Sequence, residues 1–316
     1  MRPLRFIPPN TKVDFIGKRV LAYIFSSILV LGSLGMFFAA GLNFGIDFRG
    51  GILIEIQTNG PANVEELRRV MGGLNLGEVQ IQSFGAPDDV LIRIQRQTGE
   101  EAEQLAAIDA VKQVLGDRVV EYRRTEFVGP TVGAELIKAA FLAVTLALGG
   151  ILLYIWLRFE WQFGVGAVVA LTHDIVTTIG LFAITQLEFN LATVAAILTI
   201  AGYSINDTVV IYDRVRETLR KYKKMPMTEI LNIAINATLA RTVMTSVTTL
   251  LALIALVVLG GSIIRDFAYA MIWGVIIGTY SSIFIAVPTL LFLGLRRIAG
   301  GDTSEAQDTP AEEQGA

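Results

Sequence analysis

The run FGVGAVVALTHDIVTTIGLFAIT, Phe163–Thr185, decides what kind of protein this is. A helix crossing the hydrocarbon core of a bilayer needs roughly 20 mostly apolar residues. This run has the length and composition, yet it carries His173 and Asp174 near its middle. Outward from it, five more segments have the same character: approximately 20–42, 137–157, 191–212, 242–261 and 267–295. The chain of 316 residues is 53% hydrophobic and only 17% charged. Soluble domains carry about 25% charged residues, so this composition suits a polytopic α-helical membrane protein of six transmembrane helices.

The first run is preceded by Arg2, Arg5, Lys12, Lys18 and Arg19 and its apolar stretch leads into Ala39-Ala40, which superficially suggests a signal peptide. Its apolar stretch exceeds the roughly 7–15 residues of a signal core, so it reads as an uncleaved anchor. Cysteine is absent, which excludes disulfides, thiol nucleophiles and cysteine metal sites. The single histidine, His173, excludes a multi-histidine metal centre. The net charge of −3 offers nothing to a nucleic acid. No cofactor is expected.

Orientation follows from the basic residues of short links. They gather in the N-terminal arm (1–19), at Arg158, in the link 213–241 (Arg214, Arg216, Arg220, Lys221, Lys223, Lys224, Arg241) and at Arg296-Arg297. The link Gln186–Asn190 has none, and the link after the fifth span has only Arg265. Both termini are therefore expected in the cytoplasm, and 43–135 is expected to be exported. Within 213–241, Pro226 and Thr228 open a helix whose Ile230, Ile233, Ala234 and Ala237 form one apolar face, suited to the membrane surface or the bundle. The neighbouring cations can meet lipid headgroups, although simple topology explains them better. The tail 296–316 becomes acidic from Asp302 and reads as disordered.

The segment 43–135 changes pattern. Phe44–Thr58 reads as a strand, with Ile52, Ile54 and Ile56 alternating against Leu53, Glu55 and Gln57. Asn63–Met71 reads as a helix, Val79–Phe84 and Val90–Gln95 as strands, Thr98–Leu115 as a helix and Arg118–Val128 as a strand. The order β-α-β-β-α-β is that of an α+β ferredoxin-like domain. Its carboxylates Glu65, Glu66, Glu100, Glu101 and Glu103 read as a solvated helix surface.

Ionisable residues inside a bilayer are costly and generally functional. Asp174 heads a stripe with Thr177, Thr178 and Leu181. The fourth span carries Thr199, Tyr203, Asn206 and Asp207, and the fifth opens with Arg241, Thr242, Thr245, Ser246 and Thr249. The sixth has Gly274, Gly278, Ser281 and Ser282, small residues that let helices approach closely. The economical arrangement turns all these stripes inward. Asp207 could then exchange a proton, with the permanent charge of Arg241 favouring its ionised form. The competing reading is a structural pair, and for His173 a simple packing role is at least as good.

These residues resemble a known family. FGIDFRGG (Phe44–Gly51), VGPTVGAEL (Val128–Leu136), LTHDI (Leu171–Ile175), AGYSINDTVVIYDRVRE (Ala201–Glu217) and NATLART (Asn236–Thr242) are similar, in order, to stretches of SecF proteins in the SecD/SecF family. That family belongs to the resistance-nodulation-division superfamily. The resemblance implies a subunit that pairs with SecD and works with the SecYEG channel and YajC. It would use the proton motive force to complete export of preproteins already started by SecA, with no catalytic site of its own. It implies protons as the coupling ion and Asp207 and Arg241 as proton-path residues, accompanied by Asp174, Asn206 and Tyr203. Asp47, Arg49, Gly50 and Gly51 would shape the base of the exported domain. A small-molecule efflux subunit is disfavoured by the lack of a second large exported loop. A scaffold without transport would tolerate neutral replacements of the buried charges, and protease motifs are missing.

Overall fold

The computed structural model describes residues 8, 11–83, 85–99, 101–259 and 264–295. The tail expected over 296–316, Arg2 and Arg5 of the arm, Phe84, Glu100 and the last residues of the fifth span (260–261) lie outside the described residues. Among the described residues, six helices are long and apolar enough to cross a membrane. They are α1 (Arg19–Ala40), α5 (Pro130–Arg158), α6 (Trp161–Thr185), α7 (Leu191–Lys221), α8 (Met227–Leu259) and α9 (Arg265–Ser281), the last continuing through a π-helical turn at Ser282–Ala286.

Between α1 and α5 lie α2 (Ile46–Arg49), β1 (Gly51–Thr58), α3 (Val64–Gly72), β2 (Val79–Ser83), β3 (Asp89–Ile94), α4 (Glu101–Leu115) and β4 (Val119–Val128). The sheet order is β2-β3-β1-β4 and every neighbouring pair is antiparallel. One face carries Ile52, Ile54, Ile56, Ile92 and Ile94, which bury against Leu67 and Met71 of α3 and Ile108, Val111 and Leu115 of α4. The pleat sends Leu53, Glu55, Leu91 and Arg93 to the other face, toward the helix bundle.

Two expectations change here. The strand expected from Phe44 begins only at Gly51, and Ile46–Arg49 is a helical turn. Gly50 (φ 71°) and Gly51 (φ 121°) separate the two. A Cβ at Gly51 would lie 2.6 Å from the Ile94 carbonyl oxygen, so this entry into the sheet needs glycine. The second span also starts earlier than residue 137, since Gly129 and Pro130 open a helix directly behind β4.

The basic and amphipathic link at 213–241, expected to open a helix near Pro226, is helical over more than that part: α7 runs to Lys221 and α8 begins at Met227. α7 has 31 residues and α8 has 33, which is about 46 and 50 Å at 1.5 Å per residue. A hydrocarbon core of about 30 Å cannot contain them, so the pair runs on past the membrane as a helical hairpin. Its inner side buries Ile230, Leu231, Ala234 and Ile235 against Phe15, Ile16, Val215 and Leu219. Ile233 and Ala237, expected on the apolar face, are exposed. The chain before α1 lies along α8: Asn232 Oδ1 accepts from the amides of Phe15 and Ile16 (both 3.0 Å), and Asn236 bonds both polar groups of Val13 (2.9 and 2.8 Å).

Candidate functional site: buried carboxylates between α6, α7, α8 and α9

Close packing of α7 on α9 sets the site. A Cβ on Gly274 would collide with Ile200, and one on Gly278 would come 3.1 Å from Ser204 Cβ. Small residues therefore bring the two backbones together, as expected of such pairs in membranes. Ser282 then reaches Thr208 (2.8 Å between hydroxyls), and the π turn places the Ala286 carbonyl to accept from the Tyr212 hydroxyl at 3.1 Å. π turns inside helices often accompany functional sites.

Asp174 is fully buried in this junction. Its Oδ2 accepts from Ser204 of α7 (2.6 Å) and Ser281 of α9 (2.7 Å), and its Oδ1 lies 3.0 Å from His173 Nδ1. Thr177 and Thr178 donate to the Asp174 carbonyl (3.1 and 2.7 Å), so their hydroxyls are spent on their own helix and do not extend a polar stripe. His173 Nε2 is buried without a partner, and its ring lies 6.1 Å from that of Tyr280. Tyr280 in turn holds α1 through the Ala22 carbonyl (2.8 Å) and Ser26 (2.9 Å). The sequence placed Asp174 inside the bundle, but the donors Ser204 and Ser281 had no distinguishing mark beyond their small size.

Asp207 is 4% exposed and faces α8 beside Thr242 and within electrostatic reach of Arg241. Asp207 and the Thr242 hydroxyl meet as a weak donor–acceptor contact, and neither Asp207 Oδ2 nor that hydroxyl makes a well-formed hydrogen bond. A buried polar atom left open is uncommon and calls for a reason, and spare lone pairs on a carboxylate are what a passing proton requires. Above Asp207, Tyr203 donates to Ser246 (3.3 Å), which lies 2.7 Å from Thr279.

The stripes do not all turn inward. Asp207, Tyr203, Thr242 and Ser246 do so, whereas Thr199, Asn206 and Arg241 are exposed on the outside of this bundle together with Gly202. The reason is helical phase: at 100° per residue Asn206 and Arg241 precede the inward Asp207 and Thr242 by one step and so point away. Asp207 and Arg241 form no ion pair.

At the sheet end, Asp47 Oδ2 accepts from the Leu191 amide at 2.9 Å, while Arg49 is exposed. Arg93 of β3 pairs with Glu188 at 2.9 Å and donates to Asn43 at 2.7 Å. Asp266, at the start of α9, is also buried close to Glu188. Sequence reasoning missed Arg93, Glu188 and Asp266, because each is an ordinary charge beside a loop until the sheet folds onto the bundle. Among the described residues no group of acidic or histidine side chains is arranged to hold a metal.

Residues 108–296 match the family model for the protein export membrane protein SecD/SecF, C-terminal, and residues 35–62 match the SecD/SecF GG motif. The protein translocase subunit SecF of Rickettsia bellii is 47% identical over 294 residues, covering 91% of this chain and 95% of its own length. That of Magnetococcus marinus is 48% identical over 307 residues, covering 95% of this chain and 98% of its own. The crystal structure of SecDF from Thermus thermophilus, described as a translocon-associated membrane protein, is 35% identical with a TM-score of 0.83. That match covers 93% of this chain but 40% of the SecDF chain. The six spans, the sheet domain between the first two, and these likenesses over nearly the whole length agree: the chain belongs to the SecD/SecF family of protein export membrane proteins, as a SecF-type translocase subunit.

Proposed function

We propose that this subunit, paired with a SecD partner, uses the proton motive force to finish moving preproteins through SecYEG after SecA has started them, with YajC as an accessory. The observation that carries the reading is Asp207, a carboxylate buried in a membrane bundle with an open oxygen and a permanent cation nearby. One charge moved through the membrane potential yields about 2.3 kcal/mol per 100 mV, enough for one proton to bias a two-state rearrangement. Asp174, saturated by hydroxyls from two helices, holds the junction against which Asp207 works.

A six-helix partner is supported by the outward polar stripe of Thr199, Asn206 and Arg241, which lipid would not tolerate well. The basic links favour cytoplasmic termini and an exported sheet domain in a bacterial inner membrane. The subunit does no covalent chemistry of its own in this reading; the proton is the coupling ion.

Asp207→Asn keeps shape and hydrogen bonding but cannot ionise. In vesicles holding a preprotein arrested midway, the variant complex is expected to lose the acceleration that a proton gradient gives, while the SecA-driven start survives. A variant that answers the gradient as the parent does, at equal abundance, would make Asp207 structural.

A further inference from the structure

We infer that the sheet domain is tied rigidly to α7, the helix bearing Asp207, through a seam made by Asp47 and by the Arg93–Glu188 pair. The seam would turn a movement of α7 into a movement of the sheet domain. This rests on the proton reading above and adds the part that transmits force.

The seam is built on the short link between α6 and α7. The glycine-rich entry to the sheet places Asp47 so that its carboxylate accepts from Leu191, the first residue of α7. The first amides of a helix have no partner within it, so Asp47 caps α7 from another domain. Three residues earlier in the chain, Glu188 meets Arg93 from the central strand β3. Their side chains are 9% and 11% exposed, a setting in which an ion pair is poorly screened by solvent. Arg93 also holds Asn43, which donates to the Gln186 carbonyl at 2.8 Å. Between these bonds the backbones of 43–45 and 189 pair directly, by Gly45 to Phe189 (2.9 Å) and Phe189 to Asn43 (2.8 Å). Removing one partner of a buried ion pair leaves an uncompensated charge and is strongly unfavourable, so the two sides should travel as one body. Asp207 lies 16 residues along α7 from Leu191, about 24 Å of continuous helix, a stiff lever from carboxylate to seam.

The test uses the full chain with its SecD partner in vesicles, with two readouts: gradient-driven completion of an arrested preprotein, and proton uptake followed by an internal pH dye. Arg93→Glu and Glu188→Arg should each slow completion by about tenfold while uptake stays near the parent rate, and the doubly swapped variant should recover most of the loss. Single variants that export like the parent, or a double no better than the singles, would overturn the seam. Should the charge variants fail to accumulate, the natural absence of cysteine allows a second approach. Phe44→Cys with Phe189→Cys joins the paired backbones covalently, and export should be equal with the disulfide formed or reduced. Export lost on oxidation means the seam must open, and the proposal fails. Asp207→Asn in the same vesicles separates this from the underlying reading: if it alters neither uptake nor export, the proton reading has failed on its own account.

Discussion

Asp207 and Arg241 occupy adjoining helices with their side chains turned to opposite sides of the packing surface. The carboxylate is buried between α7 and α8, and the guanidinium is exposed on the outside of the bundle. The cation is near enough to be felt by Asp207 but is not spent on it. Such an arrangement leaves each group able to answer a second partner.

Arg241→Lys should therefore be more harmful than the exchange normally is. Lysine is a compact charge that deprotonates readily when buried, whereas arginine keeps its charge and its planar fork in a partner interface. A loss of gradient-driven export of about tenfold or more is expected at unchanged abundance, because a point charge does not replace a planar fork in a bidentate contact. Export assays on matched vesicles decide it, and full activity of the lysine variant would deny any special guanidinium role.

The Asp174 junction makes a stability prediction. Ser204→Ala and Ser281→Ala each remove one of two donors to the same oxygen. In membranes such bonds contribute about 0.6–1.7 kcal/mol, so each single variant should lose about that much. The double variant should lose more than the sum, since only then is Oδ2 left without a donor. Thermal unfolding of the four proteins in detergent gives the cycle directly.

Gly274 and Gly202 offer a paired contrast. A side chain at Gly274 meets Ile200, whereas a Cβ at Gly202 meets nothing within 4 Å. Gly274→Val should cost about 1–3 kcal/mol by overpacking. Gly202→Val should leave the isolated chain stable but weaken co-purification with a SecD partner, because Gly202 shares the outward stripe with Thr199 and Asn206. Normal association of the Gly202 variant would place the partner elsewhere.

The clasp of the N-terminal arm on α8 has a pH signature. The Gly17 amide first, and then the Asn232 amide, hold the Asp14 carboxyl below its ordinary value of 3.8. A depressed carboxylate stabilises the folded form fully above the unfolded pKa and loses that contribution as pH falls through the folded one. The difference in melting temperature between parent and Asp14→Asn should thus be present at neutral pH and fade in acid below 3.8. A difference that persists or grows in acid would remove the carboxylate from the clasp.

Much of this protein is legible in its sequence. Six runs of sufficient length and hydropathy can do little but cross a bilayer, and the alternation of Ile52, Ile54 and Ile56 can only present one face to a core. Local chemistry carries the smaller features as well: Asn63, where the sequence pattern starts the helix, caps α3 by accepting from the Glu66 amide at 3.1 Å. Asp174 and Asp207 stand out unaided because charge in an apolar run is expensive wherever the helix ends up.

Tertiary structure decided which way each polar group turns and what it meets. A helical stripe spans an arc, and neighbouring residues such as Asn206 and Asp207 differ by 100° of phase, so only the packing of α7 between α8 and α9 sends one outward and the other in. The donors of Asp174 come from serines 30 and 107 residues away, and Glu188 meets Arg93 across the gap between two domains. Periodicity reports the face of a single element, whereas contacts between distant residues arise from how faces dock. For this chain the sequence determined the spans, the sheet and the costly charges; the docking of small-residue faces determined which of those charges is saturated, which is left open, and which joins the sheet domain to the bundle.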